Sequence, residues 1–148
     1  MSNVEQMAGG RVLLERDGRI ATLTINRAEA RNAFDLAMEE AIEETLLRLD
    51  RDPETWVTIL TGAGDVAFCA GWDLKSPVVD WEPRYGPNER YFSRVTKPIV
   101  AAINGFCTAG GLEVVLGTDI RVAAEHATFG LGEVRWGLVP SGGGQVRL

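Results

Sequence analysis

The chain has a single histidine, His126, and two cysteines, Cys69 and Cys107, among its 148 residues. Two cysteines are too few for a disulfide framework and lack the spacing of a zinc site, so they suggest a reducing compartment, and the expected location is cytoplasmic. With one histidine, in the polar setting Glu125-His126-Ala127, and no nucleophile-elbow pattern around Ser141, a serine triad has no basis; both cysteines read as core packing rather than nucleophiles. A basic surplus is also missing: 15 Lys and Arg stand against 21 Asp and Glu, for a net charge of −6. Nucleic acid and anionic membrane, which would demand a basic face, are therefore not expected as main partners. No apolar run approaches membrane-spanning length, and no cluster of His, Cys or carboxylate has ligand spacing, so no metal is expected. The glycine-rich stretches Gly105 to Gly111 and Pro140-Ser141-Gly142-Gly143-Gly144 fit neither the phosphate-loop nor the dinucleotide motif. Residues 1–10 are polar, lack the basic start and apolar stretch of a signal peptide, and read as a flexible lead-in to one domain, 11–148.

What is present is the composition of a globular core, with 45% apolar and 24% charged residues. Val12 to Arg16 and Ile20 to Ile25, joined at Asp17-Gly18, predict a β-hairpin, because Asp-Gly tolerates the positive φ of a tight turn. Asp35 caps a helix whose Met38, Ala41, Ile42, Leu46 and Leu49 share one face, and Asp52-Pro53 closes it. Trp56 to Leu60 predicts a short buried strand ending at Thr61-Gly62-Ala63-Gly64. Ser76 to Thr96, with three prolines and the aromatics Trp81, Tyr85, Tyr91 and Phe92, reads as a loop and a late helix over a pocket. Ile99 to Ile103 is a strand, Gly110 to Gly117 a helix and Asp119 to Ala123 a strand. The succession predicts a spiral or layered α/β core.

Within that pattern one residue is out of place. Glu113 sits in Ala109-Gly110-Gly111-Leu112-Glu113-Val114-Val115-Leu116, where packing would strip a carboxylate of its water, so it must be paired, neutralised or used. The glycines before it mark a strand-to-helix junction, where unpaired backbone N–H groups lie beside the acid. The alternative is a glutamate on the helix's exposed stripe. A second carboxylate, Glu133, stands in the glycine-flanked, apolar stretch Phe129 to Pro140, and two desolvated carboxylates supply an acid and a base for proton transfer at one carbon centre. Trp72 and the aromatics of the 81–92 stretch read as pocket lining or core, and Asp73, Lys75, Arg121 and Arg135 as a solvated surface.

These segments resemble the enoyl-CoA hydratase (crotonase) family. The likeness is carried by Ile99 to Cys107, Gly110-Gly111-Leu112-Glu113, Asp119 to Ala123 and Phe129 through Glu133 to Pro140. Phe68-Cys69-Ala70-Gly71-Trp72-Asp73-Leu74-Lys75 matches the family's other signature and Asn26-Arg27 to Asn32-Ala33 its coenzyme-binding turn, in family order from about Arg11 onward. The resemblance implies an α/β fold, a crotonase-like spiral of repeated β-β-α units, here truncated before the C-terminal helical region. It implies an acyl-CoA substrate, with coenzyme A entering as part of the thioester and no separate cofactor. The whole protein is expected as a homotrimer or a dimer of trimers.

Carried over residue by residue, the N–H groups of Trp72 and Gly110 would form an oxyanion hole for the thioester oxygen. Two preorganised amides stabilise a developing enolate by roughly 3 kcal/mol each. Glu113 would act as base on a water and Glu133 as acid toward the α-carbon. Arg27, Ala30, Ala70, Trp72, Asp73, Leu74, Lys75, Gly110 and Gly111 would lie near the substrate or coenzyme A, several through main chain. Three departures stand out: Ala109 where the family often has glycine, Gly132 where a proline frequently precedes the second glutamate, and an end at Leu148 where family members continue. The expected activity is hydration or dehydration of an acyl-CoA. Its rivals are isomerisation or thioester hydrolysis on the same fold, and a non-catalytic acyl-CoA-binding subunit.

Overall fold

Alternation governs the first strands. In Ile20-Ala21-Thr22-Leu23-Thr24-Ile25 the residues Ala21, Leu23 and Ile25 turn inward and are buried, while the threonines between them stay half-buried on the other face. The computed structural model describes residues 4–76 and 92–148. Strands β1 (Glu5–Met7), β2 (Val12–Asp17) and β3 (Ile20–Ile25) form an antiparallel meander. Helix α1 (Leu36–Arg51) packs on β2 and β3. It begins where Asp35 accepts the Met38 N–H at 3.0 Å and buries Met38, Ile42, Thr45, Leu46 and Leu49. The Asp35 carboxylate also pairs with Arg11, which ties the helix start to the sheet.

Beyond β3 the chain winds as a spiral. Strand β4 (Val57–Gly62) is followed by β5 (Ala67–Cys69), β6 (Ile99–Ile103) by β7 (Phe106–Thr108) and helix α2 (Gly110–Leu116), and β8 (Ile120–Ala123) by β9 (Thr128–Gly130). A 3₁₀ turn at Glu133–Trp136 and a single helical turn α3 (Gly144–Arg147) complete the described chain. The first strand of each pair joins a six-stranded sheet of order β1-β2-β3-β4-β6-β8, parallel from β3 onward. The second joins a three-stranded parallel sheet of order β5-β7-β9. Both sheets therefore grow in the same order, as the expected β-β-α spiral requires, and the apolar core lies among α1, α2 and the inner faces of the strands.

Four expectations need correction or bounding. The flexible lead-in over residues 1–10 is instead ordered sheet from Glu5: β1 pairs with β2, Glu5 meets Arg48 at 2.8 Å, and Met7 packs on the core, because the outer edge of β2 offers unpaired backbone groups and an apolar neighbour. The hairpin's two turn residues are Gly18-Arg19, one position later than Asp17-Gly18, since Asp17 still pairs with Ile20. Trp56 lies outside its strand, 64% exposed, with the Arg19 guanidinium 4.7 Å above its ring, a cation–π contact that replaces burial. The loop and late helix read over Ser76 to Thr96, with Trp81, Tyr85 and Tyr91, fall mostly outside the described residues; Phe92 is buried in the core. Among the described residues no helix is long and apolar enough to cross a membrane.

Two asparagines stitch the turns that lead to the site. Asn32 is fully buried; its amide donates to the carbonyls of Ala63 (2.9 Å) and Ala67 (2.7 Å) and its oxygen accepts the Arg27 N–H (2.9 Å). Asn104 exchanges bonds with Gly62, donating to its carbonyl at 2.8 Å and accepting its N–H at 3.2 Å. Asn32 also adopts a left-handed φ of 55°, which asparagine tolerates better than most residues. Asn32→Ala strips three bonds from a buried side chain and leaves alanine in that conformation, so it is expected to cost about 3 kcal/mol, measured by urea unfolding. A loss well under 1 kcal/mol would refute the anchoring role assigned to Asn32.

Candidate active site

The parallel register of the small sheet brings three chain segments side by side. Strands β5, β7 and β9 end at Cys69, Thr108 and Gly130, and the residues that follow each, Ala70-Gly71-Trp72, Ala109-Gly110-Gly111 and Leu131-Gly132-Glu133, emerge at the same end of the sheet. That end is where parallel sheets place ligand sites, because the strands stop there and the chain turns away. Gly71, at φ 93°, lies so close that a Cβ on it would sit 2.9 Å from the Gly110 nitrogen. A Cβ on Gly111 would collide with the Cys69 carbonyl, so glycine lets α2 settle directly on β5.

Trp72 is bridged to Phe34 in parallel fashion. The Phe34 N–H donates to the Gly71 carbonyl (3.0 Å) and the Asp73 N–H to the Phe34 carbonyl (2.9 Å), which leaves the Trp72 N–H on the other side of its strand segment. The rings of Phe34 and Trp72 meet edge to face at 5.7 Å. Gly110 opens α2, where first-turn N–H groups have no helical acceptor. Among the described residues neither the Trp72 nor the Gly110 N–H has an acceptor.

Glu113 is buried at 4% exposure, which excludes the exposed-stripe reading. Its Oε1 accepts the Gly144 N–H at 2.9 Å. Burial raises its pKa above the ordinary carboxylate value; the Gly144 and Gly142 amides pull it down, the neighbouring charge of Glu133 pushes it up, and the Ser141 amide again lowers it. Glu133, the first residue of the 3₁₀ turn, is also buried, and neither of its carboxylate oxygens has a partner among the described residues. The structure thus brings the two glutamates together, with Glu113 anchored and Glu133 unsatisfied. Gly144 was not among the residues read as functional; the run Gly142-Gly143-Gly144 was its only sequence signal.

The residues read as lying near the coenzyme divide into two groups. Arg27 and Asp73 form an ion pair at 2.7 Å, with Glu29 a further 3.8 Å from the Arg27 guanidinium. The Lys75 amide and the Arg27 guanidinium hold the Asp73 carboxyl below its usual range. Asp73 is therefore engaged within the fold and not part of a solvated surface. Leu74 and Lys75 are exposed beside Trp72, while Ala30 and Ala70 are half-buried, the Ala70 N–H donating to the Arg31 carbonyl at 3.0 Å. Arg121 donates to the Thr118 carbonyl at 2.7 Å, and Arg135 and Ser141 are exposed. The Cys69 and Cys107 thiols lie in register across β5 and β7, and burial pushes each up to about 12, so both stay protonated at neutral pH.

The sequence model describing enoyl-CoA hydratase/isomerase matches residues 15–148. The chain belongs to this family. It is 44% identical to an enoyl-CoA hydratase of Mycobacterium tuberculosis, across all of this chain and 58% of the relative. A carnitinyl-CoA dehydratase of Salmonella arizonae is 39% identical over 91% of this chain and 54% of its own. The crystal structure of an enoyl-CoA hydratase from Mycobacterium marinum superposes with a TM-score of 0.81 at 43% identity, covering 93% of this chain and 55% of that one. The structure of a carnitinyl-CoA dehydratase from Mycobacterium avium gives 0.81 at 41% identity, covering 93% and 56%. The chain spans a little over half the length of these relatives.

Within this family frame the departure at Ala109 acquires a physical meaning. Ala109 has φ 52° and ψ −131°, a conformation that suits glycine, while its N–H donates to the Gly130 carbonyl (2.8 Å) and its carbonyl accepts from Leu112 and Glu113. The junction is over-determined, so the alanine is held in strain. Gly132, by contrast, sits at φ −103° with open space around its Cα, so nothing in the fold demands glycine there. Ala109→Gly is expected to raise stability by about 1 kcal/mol, read as a higher denaturant midpoint; a lower midpoint would contradict the strain. A second expectation concerns pH. Because the folded-state pKa of Glu113 is raised, its contribution to stability is complete below the ordinary value of 4.5 and is lost as pH climbs through the raised value. Glu113→Gln should therefore be more stable than the native protein at neutral pH, with the difference shrinking toward acid pH in parallel unfolding curves.

Proposed function

We propose that the whole protein adds water across the 2,3 double bond of an enoyl-CoA thioester and, in reverse, dehydrates the 3-hydroxyacyl-CoA. The observation that carries this reading is the pair of buried glutamates at one end of the small sheet, beside two backbone amides that lack acceptors among the described residues. A proton cannot readily be added beside a thioester carbonyl unless the enolate charge is held, and the Trp72 and Gly110 N–H groups are the proposed oxyanion hole. Glu113, tethered by the Gly144 amide, takes a proton from water as the oxygen attacks C3, and Glu133 delivers a proton to C2. One water held between the Glu113 carboxylate and the Glu133 carboxylic acid supplies the attacking oxygen, and it would partner the Glu133 oxygens, which have none among the described residues.

Leu74 and Lys75, exposed beside Trp72, with Ala30, Ala70 and Gly111 close to the same turns, are the proposed neighbours of the coenzyme portion. In this proposal coenzyme A enters with the substrate and no further cofactor takes part. The dehydratase among the relatives supports the same elimination chemistry read backward. A homotrimeric or dimer-of-trimers assembly and a cytoplasmic location are parts of the same proposal, resting on the family resemblance and on the sparse cysteine content.

The test is turnover of a short enoyl-CoA by the whole protein, followed by mass spectrometry of the acyl group. The expected product gains one water with coenzyme A still attached, and Glu113→Gln or Glu133→Gln is expected to lower kcat by roughly 10²–10⁴-fold. Undiminished hydration by either variant would overturn the assignment. Free coenzyme A would instead indicate a hydrolase, a shifted double bond an isomerase, and binding without conversion a non-catalytic subunit.

A further inference from the structure

Asp73 directly follows Trp72 and is held at three points. Its N–H donates to the Phe34 carbonyl (2.9 Å), its Oδ1 accepts the Lys75 N–H (2.9 Å), and its Oδ2 takes the Arg27 guanidinium (2.7 Å). Arg27 is itself tied down, its N–H bonded to the Asn32 side chain at 2.9 Å and its guanidinium to the Ala33 carbonyl at 3.4 Å. Asn32 is fully buried and locked to the turn between β4 and β5. An unbroken set of bonds thus runs from the buried asparagine through Arg27 to the residue after Trp72. The side chains of Arg27 and Asp73 are only 22% and 15% exposed, so little of either is left to meet a ligand.

We infer that Arg27 and Asp73 are a positioning pair that fixes the direction of the Trp72 N–H, rather than side-chain contacts to coenzyme A. This rests on the oxyanion-hole reading given above. Phe34 sets one side of the Trp72 segment through two main-chain bonds; the charged pair prevents the segment from rotating about them. An amide aimed at a developing oxyanion stabilises the transition state more than the bound thioester, so misaiming it lowers kcat more than it raises KM.

The experiment is steady-state hydration of a short enoyl-CoA by the whole protein and its Asp73→Asn and Arg27→Lys variants, with unfolding curves for each. Asp73→Asn keeps the acceptor for the Lys75 amide but removes the charge, and it should lower kcat roughly 10–100-fold with KM changed little. Arg27→Lys, which keeps the charge but loses the planar fork, should fall between that variant and the native protein. Asp52→Asn, which breaks the remote Arg16–Asp52 pair at 2.6 Å, serves as a control expected to leave kcat unaltered. A raised KM at constant kcat would make Arg27 and Asp73 ligand contacts and overturn the inference. A stability loss without any change in kcat would overturn it as well. If the native protein itself leaves the enoyl-CoA unconverted, the hydratase reading falls and the pair's role falls with it; native turnover with unaffected variants removes the pair's role alone.

Discussion

Glu113 keeps one strong tether, the Gly144 N–H at 2.9 Å, while burial and the charge of Glu133 both oppose its ionisation. Its neighbour Glu133 is equally withdrawn from water and has no such tether among the described residues. Two carboxylates placed this way are costly to the fold, and they persist only where surrounding structure leaves them no alternative. Much of what surrounds them serves that confinement: Gly111 lets α2 sit on β5, Ala109 binds the helix start to β9, and the Ser141 to Gly144 loop closes over the carboxylate. In the proposed hydration the tethered Glu113 is the base and the untethered Glu133 the acid.

The two sheets make this confinement reachable. Because each turn of the spiral gives one strand to each sheet, β5, β7 and β9 stop at one edge and release Trp72, Gly110 and Glu133 into the same small volume. Residues from three distant parts of the chain thereby meet. The large sheet sets the spacing of the turns, and Asn32 and Asn104 bind the turns between the sheets at fixed height. Strain at Ala109 and burial at Glu113 are concentrated where these turns converge, as expected of a site whose geometry is maintained at some cost in stability.

Much of this was legible in the residues alone. The β2–β3 hairpin, α1 with its Asp35 cap, the strand Ile99 to Ile103 and the helix α2 follow from local patterns of period 2 or 3.6 and from capping chemistry, while the burial of Glu113 was settled by the fold. Less legible are features carried by three-residue strands, which are too short to show a period: β1 looks like a loose lead-in, and β5, β7 and β9 carry no pattern that marks them as a sheet. Trp56, at the start of the apolar run to Leu60, stays outside the strand because the Arg19 cation gives its ring a partner at the surface. Asp73 looks like a free surface charge until the fold sets it 2.7 Å from Arg27.

The sequence by itself determined the longer elements, the family and the presence of two carboxylates in apolar stretches, because each depends on residues close together in the chain or on a motif read in order. Only the tertiary structure decided that Glu113 is held by Gly144, that Ala109 occupies a conformation suited to glycine, and that Arg27 faces Asp73. Those facts depend on the register of the parallel strands in the two sheets. Register arises from backbone pairing between strands far apart in the chain, and no local run of side chains encodes it.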